Sequence, residues 1–144
     1  MKKLVLFLIL LTGCATTEVA LTPDTPPTEA EIRQQREAES YDYACLMMSD
    51  LFQYDACAHM DPPQVIWTQL PAAVRAYGVY IPGEPYVFVD PLGNHVWTTV
   101  IHEMTHYIAY WNSIDDRCIS EELARYVAGQ PGEWRTRYGC VKET

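Results

Sequence analysis

Basic residues are scarce in this chain, and its apolar runs are short. The 144 residues include 10 Lys and Arg against 19 Asp and Glu, so the formal net charge at pH 7 is -9. No group of basic side chains is concentrated enough to neutralise a phosphate backbone, and we therefore expect no nucleic-acid partner. The apolar run from Leu4 to Leu11 falls well below the roughly 20 residues of a transmembrane helix, which excludes a membrane span there.

The leader MKKLVLFLILLTGC has the layout of a secretory signal, with two lysines, an apolar run and small residues before Cys14. Its ending, LTGC, resembles the lipobox of bacterial lipoproteins; a plain signal with a chance cysteine is the alternative. The resemblance implies that residues 1–13 are removed and that Cys14 becomes the acylated first residue, anchoring the chain to a membrane through lipid. Ala15, in place of an aspartate, implies the outer membrane, with the protein facing the periplasm.

Two regions of different composition follow the leader. Residues 14–31 are rich in Thr, Pro and acidic side chains, which is typical of a flexible tether. Residues 32–144 are enough for one modest core and too few for two domains. We therefore expect a single folded domain over that range.

The apolar periodicity of this domain changes between helix and strand periods, which predicts an α+β fold. Asn94 is the expected N-cap of one helix, and Gly129 is the expected C-cap residue of the last. The predicted helices are 32–39, 43–54, 95–111 and 119–129, and the predicted strands are 62–70, 73–83 and 84–91.

The cysteines are even in number once Cys14 is set aside. Cys45, Cys57, Cys118 and Cys140 remain, and an oxidising compartment favours two disulfides over free thiols. Their spacings are not those of a cysteine zinc site. Three pairings are possible, and proximity favours Cys45 with Cys57 and Cys118 with Cys140.

The stretch VIHEMTHYIAYW, residues 100–111, contains the clearest chemical motif. At about 100° per residue, His102 and His106 lie one above the other on one helix face, close enough to bind one ion. With Glu103 after the first histidine they form the H-E-x-x-H pattern of helical zinc sites, which predicts one zinc ion per chain. The opposite face is apolar and predicts a buried back: Trp97, Val100, Ile101, Met104, Ile108 and Trp111.

A catalytic zinc site needs a third protein ligand and an open position for water. The metzincin pattern would require glycine and histidine where this chain has Ala109 and Asn112, so that class is excluded. His95 is about 10 Å along the helix axis from His102, beyond bonding reach. His59 stays open, although nothing in its loop favours it.

The helix predicted over 119–129 offers two acidic candidates for the third ligand, Glu121 and Glu122. Two antiparallel helices joined by a short turn bring such side chains against the histidines. Glu121 shares its face with Ala124 and Ala128, whose small side chains allow a close approach, and we prefer it. Glu122 remains the alternative.

Taken together, VIHEMTH and ISEELARYVAG resemble the gluzincin branch of the zincin metallopeptidases, over roughly residues 64–130. The resemblance implies a compact zincin-like domain, in which a small β-sheet packs on the H-E-x-x-H helix and a glutamate-bearing helix follows. It again selects Glu121 as the zinc ligand beside His102 and His106. One position departs from the family: Arg125 stands where many members have an aspartate that orients a ligand, so that orientation must come from elsewhere.

The resemblance implies a zinc peptidase acting on proteins or peptides, with Glu103 as the base that takes a proton from a zinc-bound water. Tyr126, Tyr138 and Arg125 are open candidates for stabilising the oxyanion. In this family the strand before the metal helix, here residues 86–89, can bind extended substrate by edge pairing. The alternative function is a catalytically retired zincin-like lipoprotein that acts as a binding or envelope assembly module.

Overall fold

The structure, a computed structural model, describes residues 26–74, 76–130 and 140. Helices and a small sheet are both present, which confirms the α+β fold class. Across these residues, no helix has the length and apolarity to cross a membrane. In chain order the elements are α1 (Glu29–Phe52), β1 (Gln64–Trp67), a 3₁₀ turn (Ala72–Val74), β2 (Gly78–Tyr80), β3 (Tyr86–Val89), α2 (Val96–Trp111) and α3 (Arg117–Val127).

The three strands form one sheet in the order β1–β3–β2. The central strand β3 pairs in parallel with β1 and antiparallel with β2. Val87 and Val89 of β3 are fully buried. The prediction that residues 86–89 bind substrate by edge pairing is therefore wrong, because both edges of this strand are already paired within the sheet.

Helix α1 is one continuous helix where the sequence predicted two shorter stretches. It starts at Glu29 because Thr28 and Glu31 form a capping box: the Thr28 hydroxyl accepts from the Glu31 N–H at 3.3 Å, and the Glu31 carboxylate accepts from the Thr28 N–H at 2.7 Å. The last residues of the predicted tether, 14–31, thus belong to a helix. The leader and Cys14 lie outside the described residues.

Helix α2 forms the centre of the core and contacts α1, α3 and two strands of the sheet. Val100, Met104 and Ile108 of the predicted apolar face are almost fully buried, whereas Trp97 and Ile101 are only partly buried. Trp111 is an exception, since 53% of it is exposed at the end of the helix.

The start of α2 differs from its prediction by one residue. The Thr99 N–H donates to the His95 carbonyl at 3.1 Å and closes the first turn, so the N-cap is His95 and not Asn94. His95 is exposed, has a φ of 59°, and makes no capping hydrogen bond through its side chain. The helix therefore begins at Val96.

Helix α3 begins at Arg117, before the predicted start at residue 119, because Asp116 caps it. The Asp116 carboxylate accepts from the backbone N–H groups of Cys118 and Ile119, both at 2.9 Å. The helix ends at Val127, and Gly129 follows with a φ of 64°, as a left-handed C-terminal glycine should.

Both predicted disulfides are confirmed. Cys45 and Cys57 join α1 to the loop that follows it, with their Cα atoms 5.7 Å apart. Cys118 in the first turn of α3 is bonded to Cys140, with their Cα atoms 5.6 Å apart. One bridge thus ties α1 to the loop that follows it. The other is attached to the start of α3, the helix that carries the candidate third ligand.

Candidate metal centre

Three donor atoms converge between α2 and α3. The Nε2 atoms of His102 and His106 are 3.1 Å apart, and Glu121 Oε2 lies 3.5 Å from the first and 3.2 Å from the second. All three side chains are largely buried, with exposed fractions of 12%, 18% and 13%. They form a group that can hold a metal ion, and these are the three ligands expected from the sequence.

The spacing of these donors can be tested against the geometry of zinc. Zinc bonds of about 2.0–2.2 Å in a tetrahedral arrangement place neighbouring donors about 3.4 Å apart. The observed separations of 3.1, 3.2 and 3.5 Å bracket that value. Two imidazole nitrogens and one carboxylate oxygen therefore fit zinc, and the same donors also suit other first-row divalent ions.

Two residues of α3 contact the metal donors from behind. Ser120 Oγ is 2.7 Å from Nδ1 of His106, the ring nitrogen that faces away from the donor cluster. The Nε–H of Arg125 donates to Oε1 of Glu121 at 2.7 Å. Sequence reasoning missed Ser120, although its spacing of four residues from the buried Ala124 placed it on the face that packs against α2.

Glu121 is held in its charged form by its surroundings. Burial alone would raise its pKa, but hydrogen bonds with His102, His106 and Arg125 outweigh burial and hold the pKa of this carboxyl below its usual range. Glu122 is exposed and lies outside the donor group. The structure thus places Glu121, and not its neighbour, against the histidines.

Glu103 lies beside the donors and is not one of them. Only 7% of this residue is exposed. Burial raises the pKa of its carboxyl, against the opposing effects of His106, His102 and a backbone hydrogen bond from Tyr80. A carboxylate with a raised pKa next to a metal site is suited to accepting and returning a proton.

Strand β2 passes directly over Glu103, and Gly78 makes that approach possible. A Cβ atom at Gly78 would lie 2.7 Å from Cγ of Glu103 and 2.6 Å from Cγ2 of Thr99, so no larger residue fits without a shift. No motif in the sequence marks this contact, because it requires knowing which strand crosses the helix.

The backbone of β2 also faces the candidate site. The Asp90 N–H donates to the Tyr77 carbonyl at 2.8 Å, and β2 pairs with β3 in the register Gly78 to Val89. Because bonded and non-bonded pairs alternate in an antiparallel ladder, Gly78 and Tyr80 direct their N–H and C=O groups away from β3. Among the described residues, no strand pairs with this edge of β2, and the Tyr80 backbone is hydrogen-bonded to Glu103.

A cleft with a volume of about 680 Å³ contains the donors, Glu103 and β2. Thr99 and Tyr110, which precede and follow the histidines along α2, also line it. Pro82 and Ile114 add apolar surface to its wall. The donor cluster and Glu103 thus share one cleft with the backbone of β2.

Of the remaining candidate residues, Arg125 alone is placed at the site within the described part of the chain. His59 and His95 are exposed and do not join the donor group. Tyr126 is 61% exposed and does not line the cleft, whereas Arg125 lines it and is bonded to Glu121. Tyr138 lies outside the described residues.

We compared the chain with protein-family models, with curated proteins and with solved structures, and none of them matches it. The resemblance to gluzincins therefore depends on the motif residues alone.

Proposed function

We propose that the protein is a zinc-dependent peptidase that hydrolyses peptide bonds in a protein or peptide substrate. The observation that supports this best is that three donors converge beside a second carboxylate, Glu103, which is buried and lies outside the donor set. A structural zinc site is closed by four protein ligands, whereas a catalytic site has three and leaves a position for water. The described residues supply the second pattern.

Zinc would be held by His102, His106 and Glu121, and when bound it lowers the pKa of a water molecule and polarises a carbonyl group. Glu103 would accept a proton from the attacking water as the water oxygen bonds to the peptide carbonyl carbon. The same carboxyl would return the proton to the nitrogen of the leaving amine as the C–N bond breaks. The hydrogen bond from Tyr80 keeps the carboxylate in place between these two transfers.

The edge of β2 supports an extended peptide as the substrate. Gly78 directs its N–H and C=O groups away from β3, and a peptide strand can pair with such an edge through its own backbone. The same residue lies against Glu103. A peptide paired there has its backbone carbonyls next to the proposed base and zinc ion.

The proposed place of action is the periplasmic face of the outer membrane. The lipobox-like ending LTGC supports lipid attachment at Cys14, and a chain exported there meets oxidising conditions, in agreement with both disulfides. The alternative, a retired zincin-like module that only binds partners, is disfavoured because Glu103 is intact and buried beside the donors.

The proposal is tested on the full chain purified in detergent. We expect one zinc per chain by elemental analysis, cleavage of an unstructured protein, loss of cleavage after chelation, and recovery on adding back zinc. A chain that binds zinc stoichiometrically and cleaves no peptide or protein would favour the binding module. A chain that binds no metal would overturn the proposed site.

A further inference from the structure

The contacts behind the metal donors indicate a role that the family resemblance does not supply. We infer that Ser120 and Arg125 are positioning residues, which preset His106 and Glu121 for the metal ion. This inference rests on the proposed zinc site. It concerns two side chains that touch ligands and not the metal.

Ser120 fixes the orientation of the His106 ring through a contact of 2.7 Å between its hydroxyl oxygen and Nδ1. When Nε2 binds a metal, Nδ1 carries the proton, and the hydroxyl oxygen is placed to accept it. Ser120 is 9% exposed, and its backbone N–H donates to the Asp116 carbonyl at 2.9 Å, in the first turn of a capped helix. The hydroxyl is thus held on a rigid element.

Arg125 fixes which oxygen of Glu121 faces the metal. Its Nε–H donates to Oε1, while Oε2 of the same carboxylate lies 3.2 Å from Nε2 of His106. With Oε1 engaged, the carboxylate is set to bind a metal through one oxygen only. The positive side chain of Arg125 suits this task because it pairs with the Glu121 carboxylate. An aspartate at position 125 could not form that ion pair.

The third donor, Nε2 of His102, belongs to a ring without a comparable hydrogen bond among the described residues. Nδ1 of His102 is buried and has no hydrogen-bond partner among the described residues. Hydrogen bonds with Ser120 and Arg125 therefore orient two of the three donors, and both partners belong to α3. We conclude that α3 aligns one donor on each of the two helices.

The first test measures zinc affinity by chelator competition, with no substrate present. We expect Ser120→Ala to weaken zinc binding by about 10–100-fold, the usual cost of removing such a partner. Ser120→Thr keeps the hydroxyl and should restore most of the affinity. Ser40→Ala is the matched control, because that buried hydroxyl bonds only to the Arg36 carbonyl, at 2.7 Å; it should lower stability without changing zinc affinity.

The second test uses Co²⁺ in place of zinc, because its visible absorption weakens as the coordination number rises. We expect Arg125→Met to free Oε1 of Glu121, so that the carboxylate binds through both oxygens and the absorption falls. Arg33→Met is the control, since Arg33 pairs with Glu29 at the same four-residue spacing, at 3.4 Å, on the surface of α1. It should leave the spectrum unchanged.

These outcomes separate the inference from the proposed function. A native chain that binds zinc but hydrolyses nothing overturns the peptidase and leaves the positioning roles to be decided by affinity and spectrum. Zinc affinity in Ser120→Ala equal to that of the native chain overturns the role of Ser120, and an unchanged Co²⁺ spectrum in Arg125→Met overturns that of Arg125. A native chain without metal binding overturns both proposals.

Discussion

Helix α2 contacts its two neighbouring helices through different kinds of interaction. On the side of α1, Ala44 and Met48 join Met104 and Ile108 in the apolar core, and all four are at most 1% exposed. On the side of α3, Val127 also joins the apolar core, and the helix adds hydrogen bonds and converging donors centred on Glu121. Apolar burial is non-directional, whereas donor geometry has to be correct to a few tenths of an ångström.

The comparison indicates a division between stability and chemistry. Changes on the α1 side should lower the free energy of unfolding and leave the donors in place. Changes at Ser120, Glu121 or Arg125 of α3 should alter metal binding first, because these side chains hold or orient the donors. The following predictions test this division, beginning with the largest effect.

Removing the proposed third ligand should have the greatest effect on metal binding. We expect Glu121→Ala to weaken zinc binding by more than about 100-fold. Loss of a side chain that only orients a ligand costs up to roughly that factor, and this variant loses a ligand itself. Glu122→Ala, one residue along the same helix and exposed, is the control and should bind zinc like the native chain. If the two variants lose metal in the reverse order, the assignment of the third ligand is wrong.

Cavity formation on the α1 side should affect stability alone. Met48 is fully buried, so Met48→Ala should lower the free energy of unfolding by about 2–5 kcal/mol in chemical denaturation. Leu46→Ala, at a position 68% exposed on the same helix, should change it by less than about 0.5 kcal/mol. The folded Met48→Ala chain should bind zinc like the native chain. If it loses as much zinc affinity as we expect for Ser120→Ala, the α1 side also controls metal binding and the proposed division is wrong.

Loss of the α1 cap should produce the smallest change. Thr28→Ala removes the hydroxyl of the capping box, and we expect a loss of about 1 kcal/mol of unfolding free energy with no change in zinc binding. Thr28→Ser keeps the cap and should be close to native. No measurable difference between the two would mean that the tether extends beyond Thr28 in solution.

The features that sequence could predict are those set by local spacing. The histidine pair follows from a separation of four residues on a helix, the α2 core face follows from apolar periodicity, and Gly129 follows from the backbone conformation that ends a helix. Pairing of Cys45 with Cys57 was similarly accessible, because the two are close along the chain.

Features that depend on how elements meet in space could not be predicted. The strand order puts β3 in the centre and β1 and β2 on either side of it, and the local pattern of such short strands does not show their place in the sheet. Gly78 matters only because its strand crosses Glu103. Ser120 became a candidate only when its hydroxyl was found against His106.

The central claim is that Glu103 is a base and not a ligand, and Glu103→Gln tests it most directly. Glutamine is nearly isosteric but cannot take a proton, so zinc content and unfolding free energy should stay close to native while cleavage of an unstructured protein falls by a factor of roughly 100–10,000. The matched control, Glu122→Gln, should cleave at the native rate. Native-level cleavage by a zinc-loaded Glu103→Gln chain would contradict the account, and loss of zinc in that variant would show that Glu103 is a ligand.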